Sequence, residues 1–473
     1  MEPSLLVIFG ITGDLANRKL LPALYHLAND QLLPTPFRII GVTRRGTTVP
    51  AIIAAIRSSV EASGETCNPK ALALLKRNIS IVTMDITSGN EYTRLKLELD
   101  HIEAELGICM NRLFYLAIPS QVFGPIVKEL GESKLSTGCQ HGTMESRLLI
   151  EKPFGFDLPS AKQLILELEQ VFSESQIYRI DHYLAKETVQ NILTFRLQNP
   201  LFEAVWNSKQ ISHILVTAAE SIGIEGRVNF YEQIGALRDI IQSHLLQIVA
   251  LITMEKPTKL TAQAIHQEKL KVLQDLSPPS DDHMSEFTVR GQYQGYRQEV
   301  GNSKSQTETY AAIKLTSKSR KWENVPILIR TGKHLAAKAT EVMIVFQDPS
   351  QPLNQNYLII RIQPHESIIL SVVVKKPGSS TEVEKVQMSF SYGDRADVIH
   401  ADAYERVLAD AMRGDKTLFA TSEEVLESWR IVQPILDAWS HDRTPLHEYI
   451  PGSYGPAVGN QLAHNAGINW LIS

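Results

Sequence analysis

The sequence predicts an α/β domain built on a parallel sheet, followed by a larger α+β domain whose sheet is mostly antiparallel. Three observations predict this. The first 155 residues alternate short apolar runs with helical patterns, the signature of parallel strands with helices on both faces. After Asp157 that alternation stops, and from Ile211 onward short alternating strands are separated by turn residues. The chain has 473 residues, more than one core supports at roughly 150 residues per domain. We divide it into 1–180 and 181–473.

The parallel strands are expected at Leu5 to Phe9, Arg38 to Thr43, Ile79 to Asp85, Arg112 to Ile118 and Arg147 to Glu151. A helix should run to about Ser173, with a loop at Tyr178 to Tyr183 and a further helix from Lys186 to Gln198. In the second domain, strands are expected at segments such as Ile211 to Ala218, Val325 to Arg330, Glu341 to Phe346, Tyr357 to Ile362 and Val386 to Phe390. Helices at Gly235 to Met254 and Glu423 to Trp439 flank them, and Ser277 to Asp282 reads as a polar loop. No internal repeat or low-complexity tract interrupts the pattern.

Composition excludes several classes. Hydrophobic residues make up 43% and charged residues 21%, an ordinary globular balance. A net charge of −5 argues against nucleic acid or anionic membrane as partner. The three cysteines, Cys67, Cys109 and Cys139, lack the spacing of a metal site or a disulfide framework, so a reducing compartment is expected and no metal. Met1 leads directly into an apolar strand, and no stretch approaches the ~20 apolar residues of a membrane span. The expected location is cytoplasmic.

A coenzyme site is indicated after the first strand by Gly10-Ile11-Thr12-Gly13-Asp14-Leu15-Ala16, which opens a helix. Glycines at a strand-to-helix turn let backbone N–H groups approach a pyrophosphate, and the helix N-terminus favours its charge. Two glycines alone also suit an ordinary turn. The second strand adds a sharper signal. Folds that bind NAD usually end it with an acid for the ribose 2′-hydroxyl, whereas here Arg44 and Arg45 follow. A guanidinium can grip a 2′-phosphate bidentately, so NADP is preferred over NAD; a solvated basic loop is the plainer alternative. Asp85, ending the third strand, is a candidate contact for adenine or ribose.

Three later segments are more polar than packing requires. Glu151-Lys152-Pro153-Phe154-Gly155 ends a buried-looking strand, and the carboxyl end of a parallel strand is where ligands sit. Lys152 there could reach cofactor and substrate, or could be a surface lysine. Arg179 to Glu187 concentrates ionisable groups at a helix start, so His182, Tyr183 and Lys186 suit a phosphate, and Asp181 suits a histidine partner. A charged capping loop would look similar. In Gly235 to Gln247, His244 lies on the apolar row of Ile240, Ile241, Ile248 and Leu251, so it must find a hydrogen-bond partner or a ligand. A structural histidine is one reading. With Arg238 and Asp239 within two turns, the other is a neutral imidazole that takes a proton from a hydroxyl.

Taken together, the segments resemble the glucose-6-phosphate dehydrogenase family. Gly10 to Ala16 is similar to its G-x-x-G-D-L-A, Glu151 to Gly155 to E-K-P-F-G, and Arg179 to Glu187 to R-I-D-H-Y-L-G-K-E. Arg238 to Gln247 resembles R-D-x-x-Q-N-H-L-L-Q, Val325 to Lys333 V-P-x-x-x-R-x-G-K, and Gly452 to Pro456 G-S-W/Y-G-P. The matches run in order along nearly the whole chain.

The resemblance implies a Rossmann-like coenzyme domain, a larger β+α domain and a homodimer or homotetramer. It implies oxidation of β-D-glucose 6-phosphate at C1 to 6-phospho-D-glucono-1,5-lactone with NADP, the first step of the oxidative pentose phosphate pathway. His244 would be the general base and Asp181 the carboxylate that orients it. His182, Tyr183 and Lys186 would hold the phosphate, and Glu220, Asp239, Lys333 and Lys152 the sugar hydroxyls, with Lys338 a further basic contact. Gly10, Gly13, Asp14, Leu15 and Arg44 would line the cofactor, with Lys152 near the nicotinamide.

Two residues depart from the family pattern: Ala185 stands for glycine, and Ser243 for asparagine beside the proposed base. Neither removes a group the mechanism uses. The rival readings are a dehydrogenase of another hexose phosphate or of free glucose, and a non-catalytic NADP-binding regulatory protein. The retained anchors argue for a phosphorylated substrate, and the retained His244, Asp181 and Lys333 argue for catalysis.

Overall fold

A computed structural model describes the chain except for residues 140–143, 281–282, 348–354, 379–380, 392–401, 466–469 and 471–473. The chain divides into two compact units. Unit 1 comprises 1–155, 159–185 and 400–422; unit 2 comprises 156–158, 186–399 and 423–473.

Unit 1 is organised by β1 (Ser4–Phe9), β2 (Phe37–Thr43), β3 (Ile79–Thr83), β4 (Asn111–Leu116), β5 (Ser146–Glu151) and β6 (Ile177–Ile180). They lie in the order β6-β5-β4-β1-β2-β3, all parallel, with the short strand Phe419–Ala420 antiparallel beyond β6. Every residue of β1 and β4 is buried, because helices cover both faces of the sheet; this is why Leu5 to Phe9 and Leu113 to Leu116 read as unbroken apolar runs. Helices Leu21–Asn29, Val49–Ala62, Pro69–Asn78 and Ala403–Arg413 pack on one face, and Gly89–Leu106, Phe123–Glu132 and Leu158–Glu169 on the other. The strand order reverses between β1 and β4, the place where such sheets open a ligand crevice.

Three findings differ from the sequence-based expectation. Tyr178 to Ile180, expected as the start of a loop, belong to the fully buried strand β6. The division is not a single cut near residue 180, since 400–422 returns to unit 1. Its helix is held there by Arg147, which donates to the Ala411 and Met412 carbonyls at 2.7 and 3.0 Å, and Phe419 meets Tyr178 edge-on. Cys109 and Cys139 are joined in a disulfide with Cα atoms 5.8 Å apart. They lie close to the amino ends of the neighbouring strands β4 and β5, a proximity that linear spacing does not reveal.

Unit 2 contains β7 (Ile211–Ala219), β8 (Thr288–Tyr293), β9 (Tyr310–Ser317), β10 (Ile327–Gly332), β11 (Ala339–Phe346), β12 (Tyr357–Gln363), β13 (Ser367–Lys375), β14 (Val383–Ser391) and β15 (Leu446–Tyr449). The order is β14-β13-β12-β11-β7-β10-β9-β8-β15, and Leu276–Ser277 pairs with β9 to complete ten strands. Among the described residues, only β7 with β10 and β8 with β15 run parallel. The expected antiparallel sheet is therefore present, and β8, β9, β13 and β15 extend it. The polar loop expected at 277–282 begins in the Leu276–Ser277 strand, and residues 281–282 lie outside the described residues.

The helical run Val228–Thr253 is long and apolar enough to cross a membrane by length and composition, contrary to the expectation that no stretch would be. The 18-residue stretch that meets this test is 89% buried within the protein, as a core helix is. Gly235, at φ +68°, breaks the run just before the segment that bears His244.

Candidate active site

The proposed coenzyme residues lie in unit 1. Gly10 has φ +85°, and a Cβ there would stand 2.7 Å from the Ala117 carbonyl oxygen, so only glycine lets β1 turn this tightly. The Gly13 N–H returns to the Gly10 carbonyl at 2.8 Å, and the Asn17 N–H to Gly13 at 3.0 Å. The turn therefore feeds directly into a π-helical stretch, Ala16–Leu20, whose widened geometry shows in the Leu21 N–H bonding to the Ala16 carbonyl.

After β2, Arg44 and Arg45 are exposed. Thr43, which sequence reasoning did not single out, shapes their loop: its hydroxyl donates to the Arg45 carbonyl at 2.9 Å and lies 3.3 Å from Thr12 in the glycine turn. Asp85 is exposed, and its carboxylate accepts the Thr87 N–H and hydroxyl at 3.0 and 2.7 Å. Those bonds hold its carboxyl below the usual range.

At the carboxyl ends of β5 and β6 stand Glu151, Lys152 and Asp181 to Tyr183. Asp181 is buried, and its Oδ1 accepts the Tyr183 N–H at 2.9 Å while its carbonyl accepts the Leu184 N–H at 3.1 Å. The carboxylate thus builds the turn that presents His182, whose ring centroid is 5.0 Å from that of Tyr183. Ala185 is buried without a positive φ, so a glycine is not required there.

Unit 2 carries the rest. Asp239 and His244 are buried on a second π-helical stretch, Leu237–Leu245, where the Leu246 N–H reaches back to the Ile241 carbonyl. Such stretches recur at functional sites because the extra residue per turn re-aims side chains. Ser243 turns its hydroxyl onto the Asp239 carbonyl at 2.6 Å, remaining within its own helix.

Glu220, just after β7, pairs with Lys333, just after β10, since those two strands are parallel neighbours. The Lys333 side chain is almost fully buried and lies 5.5 Å from the Tyr231 ring centroid. Burial and then the charges of Asp239, Glu308 and Glu220 push the Tyr231 hydroxyl well up, so one aromatic gathers these groups about it. Tyr231 was missed from sequence, as was Tyr449, whose hydroxyl donates to the Lys333 carbonyl at 2.7 Å. The Gly452–Pro456 segment pins the following residues: the His334 carbonyl accepts the Gly452 N–H and the Ala336 N–H reaches Ser453. Lys186 bonds Gln363 at the end of β12, and Lys338 lies exposed between β10 and β11.

Residues 7–191 match the family described as glucose-6-phosphate dehydrogenase, NAD binding domain, and residues 193–471 match glucose-6-phosphate dehydrogenase, C-terminal domain. The glucose-6-phosphate 1-dehydrogenase of Chlamydia pneumoniae is 39% identical over 99% of this chain and 96% of its own. That of Bacillus subtilis is 37% identical over 99% and 98%. A solved glucose-6-phosphate dehydrogenase in complex with its substrate glucose-6-phosphate superposes with a TM-score of 0.92 at 31% identity, covering 100% of this chain and 99% of that one. The enzyme of Mycobacterium avium gives 0.85 at 33% identity, over 99% of each chain. The chain belongs to the glucose-6-phosphate dehydrogenase family, as an oxidoreductase carrying both of that family's domains in order.

Proposed function

We propose that this chain oxidises β-D-glucose 6-phosphate at C1 to 6-phospho-D-glucono-1,5-lactone, with NADP as the acceptor. The observation that carries this reading is the TM-score of 0.92 over the full chain to a substrate-bound relative, joined to the retention of every charged residue in the three polar segments.

The coenzyme turn fits a dinucleotide: a Cβ at Gly10 would fill the space at the carboxyl end of β1, and exposed Arg44 stands where an acid would repel a 2′-phosphate. Gly10, Gly13, Asp14, Leu15 and Arg44 would hold it, with Asp85 on the adenosine side and Lys152 near the nicotinamide. When bound, NADP supplies the hydride acceptor.

His244 takes the proton of the C1 hydroxyl as C1 is oxidised, and Asp181 orients it and stabilises the imidazolium that forms. His182, Tyr183 and Lys186 grip the phosphate, which selects a phosphorylated sugar over a free one. Glu220, Asp239, Lys333 and Lys152 bond the sugar hydroxyls and fix C1 relative to the base, with Lys338 a further basic contact.

A homo-oligomer belongs to the same proposal. Strands β13 and β14 end the ten-stranded sheet, and their register places the exposed Val374, Met388 and Phe390 on one face. A second copy covering this face would remove that apolar surface from water. The substrate and the coenzyme are soluble metabolites, which supports a cytoplasmic location.

The test is reduced-nicotinamide absorbance with purified protein and glucose 6-phosphate, offering NADP and NAD in parallel and free glucose as control. Phosphate-dependent NADP reduction is expected. Absence of reduction with every pairing would overturn the reading.

A further inference from the structure

Glu151 has no role in the mechanism above, yet its surroundings in unit 1 are unusual. The residue as a whole is part-exposed, but its carboxylate is enclosed by two tyrosine hydroxyls from separate elements. Tyr115 on β4 donates to Oε1 at 2.5 Å, and Tyr404 on the helix Ala403–Arg413 bonds the same carboxylate. Tyr115 is completely buried and Tyr404 nearly so. Tyr404 comes from the return segment and carries a second contact. Lys19, on the π-helical stretch after the glycine turn, places its ammonium 5.9 Å from the Tyr404 ring centroid and 3.4 Å from Asp402, the cap of that helix. A continuous set of contacts thus runs from the coenzyme turn through Tyr404 to Glu151, whose chain neighbour is Lys152.

We propose that Glu151 is a positioning residue for hydride transfer: the two-tyrosine clamp fixes its carboxylate at the end of β5, where it holds Lys152 in place and sets the charge balance felt by Asp181. The inference rests on the roles proposed above for Lys152 and Asp181. The charged and titratable groups that face Glu151 are Lys152 on its own strand, Tyr115 from β4, Asp181 from the end of β6, and Tyr404 from the return helix. Asp402 and Asp181 in turn act on Tyr404.

As a carboxylate, Glu151 accepts both hydroxyls and opposes the Lys152 charge. Once protonated it accepts fewer hydrogen bonds, and Lys152 is left to draw on Asp181, weakening the anion that must support an imidazolium. Burial pushes the Glu151 carboxyl up to about 7, against the pull of the Tyr115 and Tyr404 hydroxyls and Lys152, so this exchange falls in the working pH range. A strand end that needed only packing would place an apolar side chain between two buried tyrosines.

The test compares Glu151→Gln, Tyr404→Phe and Lys152→Ala with the unmodified enzyme in kcat and kcat/KM profiles over about pH 5 to 9, alongside NADP affinity and thermal melting. Glu151→Gln should lose about tenfold in kcat and drop one ionisation from the acid limb of the profile, with its melt retained. Tyr404→Phe removes a donor to the carboxylate, so its acid limb should move to higher pH. A Glu151→Gln profile that superposes on that of the unmodified enzyme, or a Tyr404→Phe variant that loses stability without moving the limb, would overturn the inference. Lys152→Ala separates the two levels: undiminished turnover there would overturn the underlying assignment of Lys152, whereas strong loss there with an unmoved Glu151→Gln profile refutes the positioning role alone.

Discussion

Glu308 accepts the backbone N–H of Leu237 at 3.0 Å, through a carboxylate that also lies against Gly235. The Glu308 carbonyl takes the Ala236 N–H at 3.0 Å. A buried acid therefore stands at the N-terminus of the segment that presents Asp239 and His244, satisfying orphan donors where the helix dipole favours negative charge. Gly235 permits the elbow: its φ is +68°, and a Cβ would sit 2.4 Å from Glu308 Oε1. Gly235→Ala should cost about 2–3 kcal/mol from strain and displacement of that cap. Urea denaturation reads the stability, and kcat should fall in parallel because the His244 segment shifts. A variant with unchanged midpoint and turnover would show that the elbow does not set the segment.

Arg44 follows β2, and no acid ends that strand. Arg44→Ala should weaken NADP binding by about ten- to a hundredfold and NAD binding by less than about threefold, since only the 2′-phosphate is read by the guanidinium. Coenzyme titration followed by protein fluorescence distinguishes the two. Equal losses would remove Arg44 from cofactor selection.

Lys333 holds Glu220, and its main chain is held by Tyr449 and Thr309. Lys333→Ala should lower kcat/KM for glucose 6-phosphate by about a hundredfold, mainly through KM, while coenzyme affinity stays within about twofold. Glu220 is about a quarter exposed, so the uncompensated acid should cost only about 1–2 kcal/mol of stability. A variant with normal KM would contradict the sugar-contact role.

Glu424 is fully buried between Lys269 at 3.0 Å and His266 at 2.9 Å. Burial alone would raise its carboxyl, but Lys269 and then His266 outweigh it and hold it below the usual range. The stabilisation is therefore complete above the unfolded carboxylate value and is lost as pH falls through the folded one. Glu424→Ala should destabilise by about 3–5 kcal/mol, leaving a buried ammonium unpaired, and should remove that part of the acid sensitivity. Melting temperature against pH for both proteins checks this. Parallel curves would contradict it.

The parallel sheet was legible because β1, β2, β4 and β5 carry continuous apolar runs, buried on both faces, with Arg38, Arg112 and Arg147 confined to the second residue of their strands. β6 escaped notice because its four residues include Arg179, whose guanidinium is buried on Glu174 at 2.8 Å rather than in water. In β8, Arg290 interrupts the apolar alternation and is buried against the Thr444 carbonyl at 2.8 Å and Asp442 at 3.0 Å. Buried arginines of this kind mimic loop composition. The charged segments of the site were legible because they hold more ionisable groups than packing needs. Their supports were not: the partners Glu151 and Tyr404, Gly235 and Glu308, and Lys333 and Tyr449 are far apart in sequence, so no local pattern records them. The same holds for the return of 400–422 and for the Cys109–Cys139 pair.

The role of His244 as the base is tested most directly by turnover of His244→Ala with glucose 6-phosphate and NADP, with coenzyme affinity measured separately on the same protein. A fall in kcat of about a thousandfold or more is expected, with NADP affinity within about twofold of the unmodified enzyme and a retained melting transition. Turnover close to that of the unmodified enzyme would contradict His244 as the base and with it the proposed mechanism.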